Sequence, residues 1–123
     1  MINVFVSGKV IERKFKEIDG IKFIEPYKSN MGLEEKDSEY YVPIDLTLIN
    51  KCDICLLILE TGDELNSLFE VGYCFAKNKT IIILDLLNSN ITKYNFTKQL
   101  ATSILYSYDS LHETLKRLSW NNL

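Results

Sequence analysis

Six consecutive apolar residues, Ile54-Cys55-Leu56-Leu57-Ile58-Leu59, constrain this chain more than any other feature. A strand with one wet face alternates apolar and polar residues, so an unbroken run of this length reads as a strand covered on both faces. Such strands sit at the centre of parallel sheets flanked by helices. Thr80 to Asp85 repeats the pattern. Residues 2–7 and Ile21 to Glu25 supply two more strands, the second stopped by Pro26, and Ser103 to Tyr106 a short fifth.

The intervening segments are helical in character. Lys9 to Ile18 suits a short helix or a long turn closed by Asp19-Gly20. Tyr27 to Lys36 is loop-like, a candidate substrate-covering segment. From about Asp37, Tyr41, Ile44, Leu48 and Ile49 recur at helical spacing, with Pro43 expected to kink the helix or mark its first turn. Asp63 to Lys77 predicts a helix with Leu65, Leu68, Phe69, Gly72 and Phe75 inward. After a loop at Asn88 to Tyr94 come a helical turn at Phe96 to Ala101 and a helix over Asp109 to Trp120, with Leu111, Leu115 and Leu118 inward.

The expectation is an α/β fold: a single flavodoxin-like, Rossmann-like doubly wound domain over residues 1–123. Its five-stranded, mainly parallel sheet has the order 2-1-3-4-5, because right-handed crossovers leave few alternatives. Ligands of such sheets bind outside the carboxyl ends of the strands, which places Ser7-Gly8-Lys9 and Glu60 to Glu70 at one rim.

Charge narrows the partners. Fourteen Lys and Arg stand against 17 Asp and Glu in 123 residues, and no basic block extends beyond the neighbourhood of Lys14 and Lys16. That is not the footprint of a nucleic-acid binder, and a small polar ligand is easier to accommodate. No apolar stretch approaches the ~20 residues needed to cross a bilayer, and the amino terminus has no export pattern, so a cytoplasmic protein is expected. Cys52 and Cys55 have the spacing of a redox or zinc half-site, but a structural zinc wants four ligands, and beyond Cys74 the chain offers only His112. The three cysteines read as buried structural thiols and His112 as a surface residue, so no metal is expected.

The acidic residues at the rim hold the chemistry. Glu64 and Glu70 lie six positions apart, about 120° around a helix axis, so they do not form one stripe. Glu70, between Phe69 and Gly72, borders the apolar face, where partial desolvation raises a carboxyl pKa. Asp63 and Glu64 equally suit an acidic first turn that favours the helix dipole.

Glu70-Val71-Gly72-Tyr73-Cys74-Phe75-Ala76, leading into Lys79-Thr80-Ile81-Ile82-Ile83, resembles the Glu-Ile/Leu-Gly-x-Ala segment of the nucleoside 2-deoxyribosyltransferases and the related deoxynucleoside 5′-monophosphate N-hydrolases. Asp45-Leu46 with Ile49 and Cys52-Asp53 resembles that family's Asp-Leu…Ile…Ser-Asp run, and Phe5-Val6-Ser7-Gly8 its first strand and glycine turn. The likeness spans roughly residues 2–85.

The resemblance implies that Glu70 attacks the anomeric carbon of a deoxyribose and that the glycosyl-enzyme passes the sugar to another base or to water. A carboxylate stabilises an oxocarbenium-like centre and can form a covalent ester with it. The family's Asp-x-Gly-Thr-x-x-Glu stretch corresponds to Glu64-Leu65-Asn66-Ser67-Leu68-Phe69-Glu70. Glu64 would then bind a sugar hydroxyl or assist proton transfer, and Ser67 would keep a hydroxyl for sugar or phosphate. Ser7, Gly8 and Asn66 would line the substrate. Lys9 would meet a 5′-phosphate or remain a solvated lysine, and Asp45 would fix the nucleobase edge or remain an exposed helix charge. Asp53 reads as a helix-end or strand-start residue in preference to a catalytic one. Relatives complete each site with a polar residue from a neighbouring subunit, and Ser103 is the nearest match, so a homodimer is implied.

Two positions depart from the pattern: Asn66 stands for a glycine, and Phe5 for a tyrosine whose hydroxyl supports the nucleophile in many relatives. The implied activity is cleavage or transfer of the N-glycosidic bond of deoxynucleosides or their 5′-monophosphates, a reaction that calls for no cofactor. The alternative is a weak or inactive nucleotide-binding or sensing module of the same fold.

Overall fold

The computed structural model describes residues 1–8, 14–26, 38–62, 64–87 and 94–121. Its strands are β1 (Ile2–Ser7), β2 (Ile21–Ile24), β3 (Ile54–Leu59), β4 (Thr80–Asp85) and β5 (Ser103–Leu105). The helices are α1 (Ser38–Asn50), α2 (Leu65–Ala76), α3 (Asn95–Gln99) and α4 (Tyr108–Asn121). The strands form one sheet in the order β2-β1-β3-β4-β5, and every pairing is parallel. This is the α/β, flavodoxin-like order that the apolar runs imply. The expected loop over Tyr27 to Lys36, all of the expected loop over Asn88 to Tyr94 except Tyr94 itself, and Lys9 lie outside the described residues; Tyr94 is buried at the start of α3.

β3 is buried at all six positions because both of its faces are covered. Side chains alternate, so Phe5, Cys55, Leu57, Leu59, Ile81 and Ile83 share one face, closed by Ile49 of α1, Val71 and Cys74 of α2, and Tyr94. Val4, Val6, Ile54, Leu56, Ile58, Ile82 and Leu84 share the other, closed by Leu111 and Leu115 of α4 and by Ile18. Phe15 stacks on Phe23 at 4.3 Å between ring centroids, at the margin of that second core. Each fully buried aliphatic side chain contributes about 1.5–3 kcal/mol.

Three expectations are corrected. Leu68 packs against the core as expected, and the Leu65 side chain lies outside the described residues, but the buried stripe of α2 is Ser67, Val71 and Cys74, whereas Phe69 and Phe75 are 74% and 54% exposed and Gly72 is exposed as well. At about 100° per residue Phe69 falls on the opposite side of the helix from that stripe. Ile44 of α1 faces outward at 52% exposure, and of the two readings of Pro43 the first-turn one is ruled out, since the proline lies further inside the helix. His112 is buried at 5% exposure, not superficial: its Nε2 accepts the Lys16 N–H at 3.1 Å and ties the segment before β2 to α4.

The cysteines are free and buried, and burial pushes the Cys52 thiol up to about 11. Asp53 caps the start of β3, where its Oδ2 accepts the Asn3 N–H at 2.8 Å. No described helix is long and apolar enough to cross a membrane.

Candidate active site

The carboxyl ends of β1, β3 and β4 bring Ser7, Glu60 and Asp85 to one rim, and the first turns of α2 rise from it. Ser7 is the last residue of β1 and, two positions after Phe5, points to the same face of the sheet, towards α2. Its Oγ donates to Glu70 Oε1 at 2.7 Å, which joins the first strand to the second turn of α2 across 63 positions of sequence. Glu70 is half-buried, and its carboxyl is pushed up to about 7, chiefly by burial, with a further upward push from the Asp45 carboxylate and an opposing one from the Ser7 hydroxyl. A group poised there exists in both protonation states near neutrality.

Gly8 makes the turn out of β1 possible. Its φ is +120°, and a Cβ at this position would collide with the Ile58 carbonyl oxygen. Only glycine lets the chain leave β1 this close to β3.

Glu64 is 1% exposed and its carboxylate is surrounded by donors. Oε1 accepts the Glu60 N–H at 3.0 Å, the Thr61 N–H at 2.8 Å and the Thr61 hydroxyl at 2.9 Å. Oε2 accepts the Tyr94 hydroxyl at 2.6 Å, and the Glu64 N–H donates back to that hydroxyl at 3.3 Å. Burial would raise the pKa, but the Tyr94 hydroxyl and the three donors of the turn outweigh it, and the carboxyl is held below its ordinary value. Glu64 thus stays ionised and closes the turn between β3 and α2.

Asp85, at the end of β4, is paired with Lys98 of α3 at 2.8 Å, and its Oδ1 accepts the Leu87 N–H at 3.1 Å. Asp85, Lys98 and Tyr94 belong to no motif that marks them in the sequence. One signal existed, the single charge that ends the apolar run of β4; Tyr94 sits outside any periodic pattern.

Of the remaining predicted residues, Asp45 lies on α1 near enough to act on the Glu70 carboxyl. Ser67 is buried, one turn before Val71, and Asn66 is exposed at the start of α2. Ser103 is not gathered with the others. It begins the edge strand β5, which β3 and β4 separate from β1, roughly 14 Å away at the usual strand spacing.

No family model matches the chain, and no curated protein matches it. Among solved structures, it is similar to the 2-deoxyribosyltransferase of the psychrotolerant bacterium Bacillus psychrosaccharolyticus, with a TM-score of 0.70 and 12% identity. The likeness covers 89% of this chain and 90% of that one. The sheet order and the helices of this chain are therefore those of the 2-deoxyribosyltransferase fold.

Proposed function

We propose that the protein breaks or transfers the N-glycosidic bond of deoxynucleosides or their 5′-monophosphates, with Glu70 as nucleophile. The observation that carries this reading is a half-buried glutamate at the carboxyl rim of the sheet, held by a buried hydroxyl and poised near neutrality. The fold shared with a 2-deoxyribosyltransferase supports the substrate class.

In the first step a Glu70 carboxylate oxygen bonds to C1′ as the C1′–N bond breaks. The bonding pair leaves with the base, which takes a proton from solvent. Water or a second base then attacks C1′ from the opposite face, the C1′–O bond to Glu70 breaks, and the incoming nucleophile sheds its proton. Two displacements give net retention. Asp45 orients the nucleobase edge. Glu64 anchors the turn instead of carrying the proton, since its carboxylate is ionised and engaged on both oxygens. Ser103, which within one chain sits on the far edge strand, is proposed to complete the site of a second copy in a homodimer.

The test is base release. Purified protein is incubated with each deoxynucleoside and deoxynucleoside 5′-monophosphate, with and without a second free base, and the products are resolved by chromatography beside Glu70→Ala. Release or exchange that disappears in Glu70→Ala is expected, and a requirement for the second base identifies a transferase. Binding without release would leave a nucleotide-binding module in place of an enzyme.

A further inference from the structure

We infer that Ser7 is the positioning residue of Glu70: its hydroxyl pins Oε1 and leaves Oε2 as the oxygen that bonds to C1′. The inference rests on the proposed role of Glu70 and reassigns Ser7 from lining the substrate to holding the nucleophile. Two side chains at the carboxyl half of β1 face α2, Phe5 and Ser7. Phe5 is wholly buried and has no polar atom, so the hydroxyl on this face belongs to Ser7. Ser7 is itself 2% exposed, and its Oγ is spent on Glu70 Oε1 at 2.7 Å, which puts it beyond the reach of a sugar in solvent. No other hydrogen bond to the Glu70 carboxylate is made among the described residues.

A carboxylate attached to one donor loses its two-fold rotational freedom, so the two oxygens acquire separate tasks. The groups around it do not duplicate the donor. Asp45 of α1 adds like charge; Cys55 of β3, whose thiol the Glu70 charge helps push up, and Cys74, one turn further along α2, are buried thiols. Ser7 is thus the hydroxyl that favours the ionised, attacking form of Glu70.

The experiment measures Glu70 directly and through the reaction. The Glu70 carboxyl carbon is followed by NMR in protein labelled with 13C-glutamate, assigned with Glu70→Gln, while base release is recorded against pH for wild type, Ser7→Ala and Ser7→Thr. In Ser7→Ala the titration midpoint is expected to rise by about one to two units, the size of a lost hydrogen bond to a charged group. The acid limb of the rate profile moves with it. At pH 7 the rate falls roughly five- to fifty-fold and recovers in alkaline buffer, where the carboxyl is ionised again. Ser7→Thr keeps the hydroxyl and stays close to wild type in both readouts.

An unmoved midpoint in Ser7→Ala, or a rate loss equal at every pH, overturns the inference. If wild type releases no base, the proposed activity fails while the titration still decides whether Ser7 holds Glu70. If Ser7→Ala does not fold, Ser7→Cys is measured in its place; a weaker donor of similar shape shifts the midpoint in the same direction by less, and no shift overturns the inference.

Discussion

Tyr94 and Glu64 exchange two hydrogen bonds: the Tyr94 hydroxyl donates to Glu64 Oε2 at 2.6 Å and accepts the Glu64 N–H at 3.3 Å. The tyrosine thereby fastens the start of α3 to the turn from which α2 starts, and α2 carries Glu70. Both residues are 1% exposed, so the pair is shielded from competing water.

Tyr94→Phe removes the donor and leaves the buried carboxylate with an unmatched oxygen. A hydrogen bond to a charged group is worth about 1.5–3 kcal/mol, and urea unfolding at pH 7 is expected to show a loss of that size. The sign of its pH dependence follows from Glu64. Its carboxyl lies below its ordinary 4.5 in the folded protein, so the stabilisation is complete above 4.5 and fades as pH falls through the folded value. The gap between wild type and Tyr94→Phe must close in the same direction, and a gap that widens in acid would contradict the assignment.

Gly8→Ala is expected to destabilise the fold by at least about 2 kcal/mol, from left-handed strain and from the meeting of the new Cβ with the Ile58 carbonyl oxygen. Because that oxygen belongs to the central strand, it has no room to retreat. An unchanged denaturation midpoint would show that the turn relaxes, contrary to the geometry.

Much of this architecture was legible from residue patterns alone. The all-apolar β3 and β4 announced a two-sided parallel sheet, and short right-handed crossovers left the observed order. Leu68 of α2 packs inward as its pattern predicts, but the rest of that face was misread because large apolar side chains dominate a hydrophobic count, whereas the sheet accepts Val71 and Cys74 and leaves Phe69 and Phe75 outside. Glu70 stood out as a charge beside a buried face, but its partner did not. Ser7 is 63 positions away, and nothing local to either residue encodes a contact that exists only once β1 lies under α2. The donors that occupy Glu64 were hidden for the same reason in Tyr94, while those of Glu60 and Thr61 depend on turn geometry that periodicity does not describe.

The Asp85–Lys98 pair predicts an asymmetric mutational response. The Asp85 side chain is fully buried and that of Lys98 is 15% exposed. Lys98→Met removes an ion partner of a buried carboxylate and is expected to cost about 3 kcal/mol, whereas adding Asp85→Asn returns part of that loss. A double-mutant cycle read by urea denaturation checks the coupling, and strictly additive losses would mean that the pair contributes nothing as a pair.

Glu70 should be a liability to stability at the pH where it is proposed to act. Its carboxyl titrates near 7 in the folded protein against an ordinary 4.5, so the folded state holds the proton more tightly than the unfolded state does. Stability therefore falls as pH rises from 4.5 through about 7, by the work of ionising a desolvated carboxyl next to Asp45. Glu70→Gln escapes that cost. At pH 8 the variant is expected to be about 2 kcal/mol more stable than wild type, with no advantage below pH 4.5, where wild type is protonated in both states. Thermal and urea unfolding across this range measure the difference, and a variant less stable than wild type at pH 8 would mean that the Ser7 contact outweighs the desolvation of the charge. A residue that costs stability in its ionised form is what a site retained for chemistry, and not for packing, leads one to expect.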